Sequence, residues 1–86
     1  MQKSLHSTGY ARFREILKQA RVNAGLTQHA LARKLGEGQD FVSKTERGVR
    51  RLDVVELREY CGALGIPFVE FTEMLDHELP RTRRSR

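Results

Sequence analysis

Residues 27–48 read Thr-Gln-His-Ala-Leu-Ala-Arg-Lys-Leu-Gly-Glu-Gly-Gln-Asp-Phe-Val-Ser-Lys-Thr-Glu-Arg-Gly, and their spacing predicts two short helices joined by a tight, glycine-bearing turn. Thr27 supplies an N-cap oxygen for the first helix, and Leu26 just outside it can staple onto Leu31 one turn in. Leu31, Ala32 and Leu35 share one helical face. Gly36 falls where the first helix must stop and the backbone needs a positive φ, and Gly38 offers a permissive cap for the second helix. Val42 points inward from that second helix. Ala32 is small where two helices crossing through a three-residue turn bring their backbones together; a larger residue would push them apart.

The run Thr27-Gln28, Leu31-Ala32, Leu35-Gly36, Gln39, Val42, Ser43 and Glu46-Arg47-Gly48 resembles the helix-turn-helix of the Cro and lambda-repressor-like family of DNA-binding domains, over residues 13 to about 75. The resemblance implies an all-α, compact five-helix domain. Its third helix would enter the major groove of double-stranded DNA while the second lies across the backbone.

Length and charge bound the reading independently. The chain has 86 residues, of which 38% are apolar, enough to fill one helical core but not two. There is no apolar run of membrane-spanning length and no signal-peptide stretch, and the single cysteine fits a reducing cytosol, so a cytoplasmic protein is expected. Residues 1–51 carry eleven Lys or Arg against four acids, residues 52–80 one Arg against seven acids, and residues 81–86 four Arg. The basic half contains the paired helices, which makes nucleic acid the natural partner.

Outside the pair of helices the chain divides into an arm, three further helices and a tail. Residues 1–9 read as a disordered arm, with Lys3 able to trail along DNA as the alternative. Residues 10–24 show Phe13, Ile16, Leu17, Ala20 and Ala24 on one helical stripe that ends at Gly25. Asp53 and Glu56 make an acidic capping box for a fourth helix with Val54, Leu57, Cys61 and Leu64 on one face. Pro67 suits the start of a fifth, with Phe68, Phe71 and Leu75 on one side, flanked by Val69 and Met74. Those five apolar residues exceed what one face needs internally and are candidates for a homodimer interface; a wholly internal core is the alternative. The domain is expected over 10–79. The basic tail, 80–86, has three readings: non-specific DNA contact, an acidic partner, or a solvated end.

Within the reading helix, 39–47, Gln39 has the paired donor and acceptor that fit adenine N7 and N6. Asp40 meets phosphate repulsion, so it is expected to accept from cytosine N4 or to point away. Lys44 can reach guanine O6 and N7 or a phosphate, and Ser43 shares the outward arc. Gln39, Asp40, Ser43 and Lys44 are thus the candidate base readers. The resemblance places Gln28 and the loop arginines Arg50 and Arg51 on the phosphate side, with solvated loop charges as the alternative for the two arginines; Phe41 is assigned to the same side, and for its ring thymine methyls and the space under the turn both stay open. The resemblance adds a contact between Gln28 and Gln39, and a pair between Arg21 and Glu46 tying the first helix to the end of the third. Two residues depart from the family pattern, Glu37 in the turn and Thr45 under the reading helix, where an apolar residue is usual.

No catalytic pattern, metal-ligand spacing or cofactor loop emerges: His6, His29 and His77 are far apart and match neither Cys61 nor the carboxylates. The expected function is a sequence-specific transcriptional regulator, a repressor binding an inverted-repeat operator as a dimer. The alternative is an antitoxin that binds its own operator and, through the fifth helix or the tail, a toxin.

Overall fold

The first four helices begin and end at a capping side chain or a glycine, where the backbone groups that a helix leaves open are met, and the fifth starts at Pro67 with no side-chain cap. In the computed structural model, which describes residues 7–80, α1 spans Thr8–Asn23, α2 Gln28–Leu35, α3 Gln39–Arg47, α4 Val54–Leu64 and α5 Phe68–Glu78. No strand occurs among the described residues. This is the five-helix, all-α architecture that the resemblance implied. Thr27 caps α2 by accepting from the Ala30 N–H at 3.0 Å. At α4 the box is reciprocal, Asp53 accepting from the Glu56 N–H at 2.7 Å while Glu56 accepts from the Asp53 N–H at 3.0 Å.

The start of α1 differs from expectation. Ser7 accepts from the Tyr10 N–H at 3.1 Å, so residues 7–9, expected in the arm, form the cap and first turn of α1. The readings of residues 1–6, Lys3 included, and of the arginines in 81–86 lie outside the described residues.

The core draws on every helix: Phe13, Ile16 and Leu17 from α1, Leu31 and Ala32 from α2, Val42 from α3, Tyr60, Cys61 and Leu64 from α4, and Phe71 from α5. Ala32 has no exposed surface, as its place at the α2–α3 crossing requires. Two expectations change here. Val54 is 66% exposed, and the inner face of α4 is instead Leu57, Tyr60, Cys61 and Leu64, again three and four residues apart. Phe71 is wholly enclosed, so its ring belongs to the monomer core and not to a dimer interface. Thr45 is enclosed as well, yet its hydroxyl donates to the Phe41 carbonyl at 2.7 Å. That bond one turn back removes most of the cost of burying the hydroxyl.

Two glycines on the helix-turn-helix segregate backbone strain from steric crowding. Gly36 and Gly48 both adopt left-handed φ, 72° and 80°. A Cβ at Gly36 would meet nothing within 4 Å, whereas one at Gly48 would lie 2.9 Å from the Arg14 guanidinium carbon. Arg14 is not free to swing aside, because its Nη1 donates to the Glu46 carbonyl at 3.0 Å. Gly36→Ala is expected to lose about 1–2 kcal/mol, the left-handed penalty alone. Gly48→Ala is expected to lose clearly more in urea unfolding, and equal losses would mean that Arg14 yields without cost.

Candidate nucleic-acid interface

The reading helix is held from behind by polar groups in series. Arg21 is 9% exposed; its Nε donates to Glu46 Oε2 at 2.6 Å and its Nη2 to Glu46 Oε1 at 3.2 Å. The pair implied by the resemblance is therefore present and buried. Arg21 Nη1 also donates to the Leu26 carbonyl at 2.9 Å, which fastens the α1–α2 turn. Glu46 Oε1 in turn accepts from Gln28 Nε2 at 3.0 Å, and Gln28 Oε1 accepts from Gln39 Nε2 at a long 3.5 Å. A line of contacts thus runs from the core, through the start of α2, to the first residue of α3.

The outward arc of α3 holds Gln39, Asp40, Ser43, Lys44 and Arg47. Gln39, Asp40, Lys44 and Arg47 are exposed and Ser43 is half-buried. Lys44 Nζ lies 3.4 Å from Asp40 Oδ2, one turn away, so the carboxylate that was expected to repel phosphate carries its own cation. Ser43 Oγ accepts from Arg47 Nε at 3.2 Å. Arg47 was not among the predicted readers. Its spacing of three from Lys44 and four from Ser43 is the signal that places it on their face.

The loop after α3 departs from expectation. Arg50, read as a phosphate ligand, donates to both Glu56 oxygens, at 3.2 and 2.8 Å, and to the Arg51 carbonyl at 2.7 Å. Its guanidinium lies 4.4 Å from the centroid of the Phe41 ring. Phe41 itself packs against the core, with its ring centroid 6.5 Å from that of Tyr60. Its backbone N–H donates to the Gly38 carbonyl, so the residue offers no spare donor to a phosphate; the ring lies against Tyr60 and Arg50. A phosphate would have to compete with Glu56 for Arg50. Arg51 is exposed, with its guanidinium 5.2 Å from the Tyr10 ring centroid.

Of the remaining dimer candidates on α5, Val69 is 68% and Met74 39% exposed, while Phe68 and Leu75 are half-buried against the core. No helix among the described residues is long and apolar enough to cross a membrane.

A helix-turn-helix family profile matches residues 17–71. The chain is 39% identical to an XRE-family like protein from Pseudomonas syringae pv. tomato str. DC3000, covering 88% of this chain and 93% of that one with a TM-score of 0.79. The chain belongs to this helix-turn-helix family. It is a DNA-binding transcriptional regulator of the XRE and lambda-repressor-like type. A second solved relative is the restriction-modification controller protein C.Esp1396I, 30% identical over 85% of this chain and 96% of that one, with a TM-score of 0.77. The same protein, as a tetramer in complex with its natural 35 base-pair operator, gives a TM-score of 0.76. A comparison with curated proteins found no match.

The Arg21–Glu46 and Arg50–Glu56 ion pairs have different measurable consequences. Removing one partner of the buried pair strands the other, so Arg21→Met or Glu46→Met is expected to cost about 3–5 kcal/mol, and the double variant less than the two singles combined; additive losses in denaturant unfolding would show that the two residues act separately. The Arg50 guanidinium, followed by the Asp53 N–H, holds the Glu56 carboxyl below the usual glutamate range. A lowered folded value means that this contribution is complete above the ordinary value of 4.5 and is lost as pH falls below it. Glu56→Gln is therefore expected to narrow the stability difference between about pH 7 and about pH 3, measured as urea midpoints; an unchanged difference would place the acid sensitivity elsewhere.

Proposed function

We propose that this regulator is a cytoplasmic repressor that binds an inverted-repeat operator as a homodimer, one α3 in each of two successive major grooves, and acts by occluding a promoter. The observation that carries the reading is the line of contacts Arg21, Glu46, Gln28, Gln39, buried at its Arg21–Glu46 end, which ends on a side chain at the exposed start of α3. One Nε2 proton of Gln39 is directed at Gln28; the other proton and Oε1 are left for adenine N7 and N6, a bidentate grip. Gln28 and Arg51 hold phosphates and set the docking angle without reading sequence. Asp40, Ser43 and Lys44 read base edges further along the groove. Arg50 braces the loop behind them through Glu56 and Phe41. The second protomer is met through the exposed side of α5, where Val69 and Met74 stand out with Phe68 and Leu75 at its edge. The operator complex of C.Esp1396I supports the DNA partner and the assembly of more than one copy.

Selection of duplexes from a random pool at physiological salt is expected to enrich an inverted repeat with half-sites ~10 base pairs apart. Gln39→Ala is expected to lose discrimination at one base pair per half-site, by ~1–3 kcal/mol. Salt-sensitive binding with no enriched motif would reduce the domain to phosphate affinity, and an unchanged motif for Gln39→Ala would overturn the docking.

A further inference from the structure

The face of α3 offered to DNA carries an ion pair of its own. Asp40 and Lys44 lie one turn apart with Oδ2 and Nζ separated by 3.4 Å, and their side chains are 67% and 48% exposed. So open a pair adds little to stability, and a carboxylate approaching DNA meets phosphate repulsion that something in the complex must offset. A base edge can offset it. In a G·C pair, guanine O6 accepts from cytosine N4, so an acceptor and a donor sit about 2.9 Å apart, each with one hydrogen-bonding position still open to the major groove. An ammonium and a carboxylate at 3.4 Å match that spacing without separating: Lys44 donates to O6 while Asp40 accepts from N4. Guanine N7, beside O6, takes a second Lys44 proton.

We propose that Asp40 and Lys44 act as one unit that reads a single G·C pair, with guanine on the Lys44 side. The inference rests on the docking of α3 proposed above and adds a polarity to it. A C·G pair would set the carboxylate against O6 and N7 and the ammonium against the N4 protons. An A·T pair places adenine N6 protons under Lys44 and thymine O4 under Asp40, which is again repulsive at both ends. A T·A pair keeps the acceptor-then-donor order but brings adenine N7 against the carboxylate. The order of preference is therefore G·C, then T·A, then the other two. Each residue alone would accept more sequences than the pair does, because the ammonium tolerates any acceptor and the carboxylate any donor.

The test is parallel selection from the random pool by the parent, by the charge-swapped chain Asp40→Lys with Lys44→Asp, and by Asp40→Asn, with folding checked by circular dichroism. At one position per half-site the parent is expected to select guanine over the disfavoured bases by about tenfold or more. The swapped chain is expected to select cytosine there while the base read by Gln39 stays as it was. Should the swapped chain not fold, Asp40→Asn decides: its amide both donates and accepts, so the ranking at that position should flatten. A swapped chain that still selects guanine, or an Asn variant that keeps the ranking, would overturn the paired reading and leave the docking of α3 intact. A parent that selects no motif would overturn both.

Discussion

The buried pair of Arg21 and Glu46 is the constraint on which the rest of the interface depends. Apolar packing of Val42 and Ala32 sets how close α3 lies to α2, but it does not by itself fix the rotation of α3 about its axis. Glu46 does, because its carboxylate takes Arg21 from α1 and Gln28 from α2, and its carbonyl takes Arg14. A pair of this kind adds less to net stability than its short distances suggest, since both charges lose their water. Its effect is on orientation. The end of α3 remote from its capping turn is fastened to two other helices, and the side chains at its start inherit that alignment.

How much of this was legible in the sequence follows from how local each feature is. Gly36, Gly38, Leu31, Ala32 and Val42 belong to one turn and its two flanking helices, so spacing alone determined their roles. The Arg21–Glu46 contact spans 25 residues and came only through the family resemblance, because no local periodicity links those positions. Tyr60 and Val54 were exchanged for a related reason. Which edge of an apolar stripe turns inward depends on where the neighbouring helices lie, and a tyrosine, with its hydroxyl, reads as a rim residue when it is in fact among the largest enclosed side chains. Arg50 looked like a loop cation because Glu56 was already assigned to the α4 cap; one carboxylate serves both.

These internal partners also change what the charge of the first 51 residues means. Arg21 is matched by Glu46, Arg50 by Glu56, Lys44 by Asp40, and Arg12 by Glu15 and Glu78. Glu46, Asp40 and Glu15 already count against the cations of residues 1–51, so only Glu56 and Glu78, from beyond residue 51, lower the local excess of positive charge further. What remains is concentrated where geometry places it, and attraction to DNA is weighted toward position over magnitude.

Cys61 is fully enclosed, and burial pushes its thiol up to about 11. At neutral pH the group is therefore held as the unreactive thiol, and the surrounding core shields it. The only sulfhydryl of the chain is thereby a built-in clock: a thiol reagent reaches it in proportion to the population of forms in which α4 has parted from the core. Because ligands that bind the folded form alone make such openings rarer, the same clock slows when the domain is occupied, so occupancy can be timed without attaching any label to the surface that does the binding.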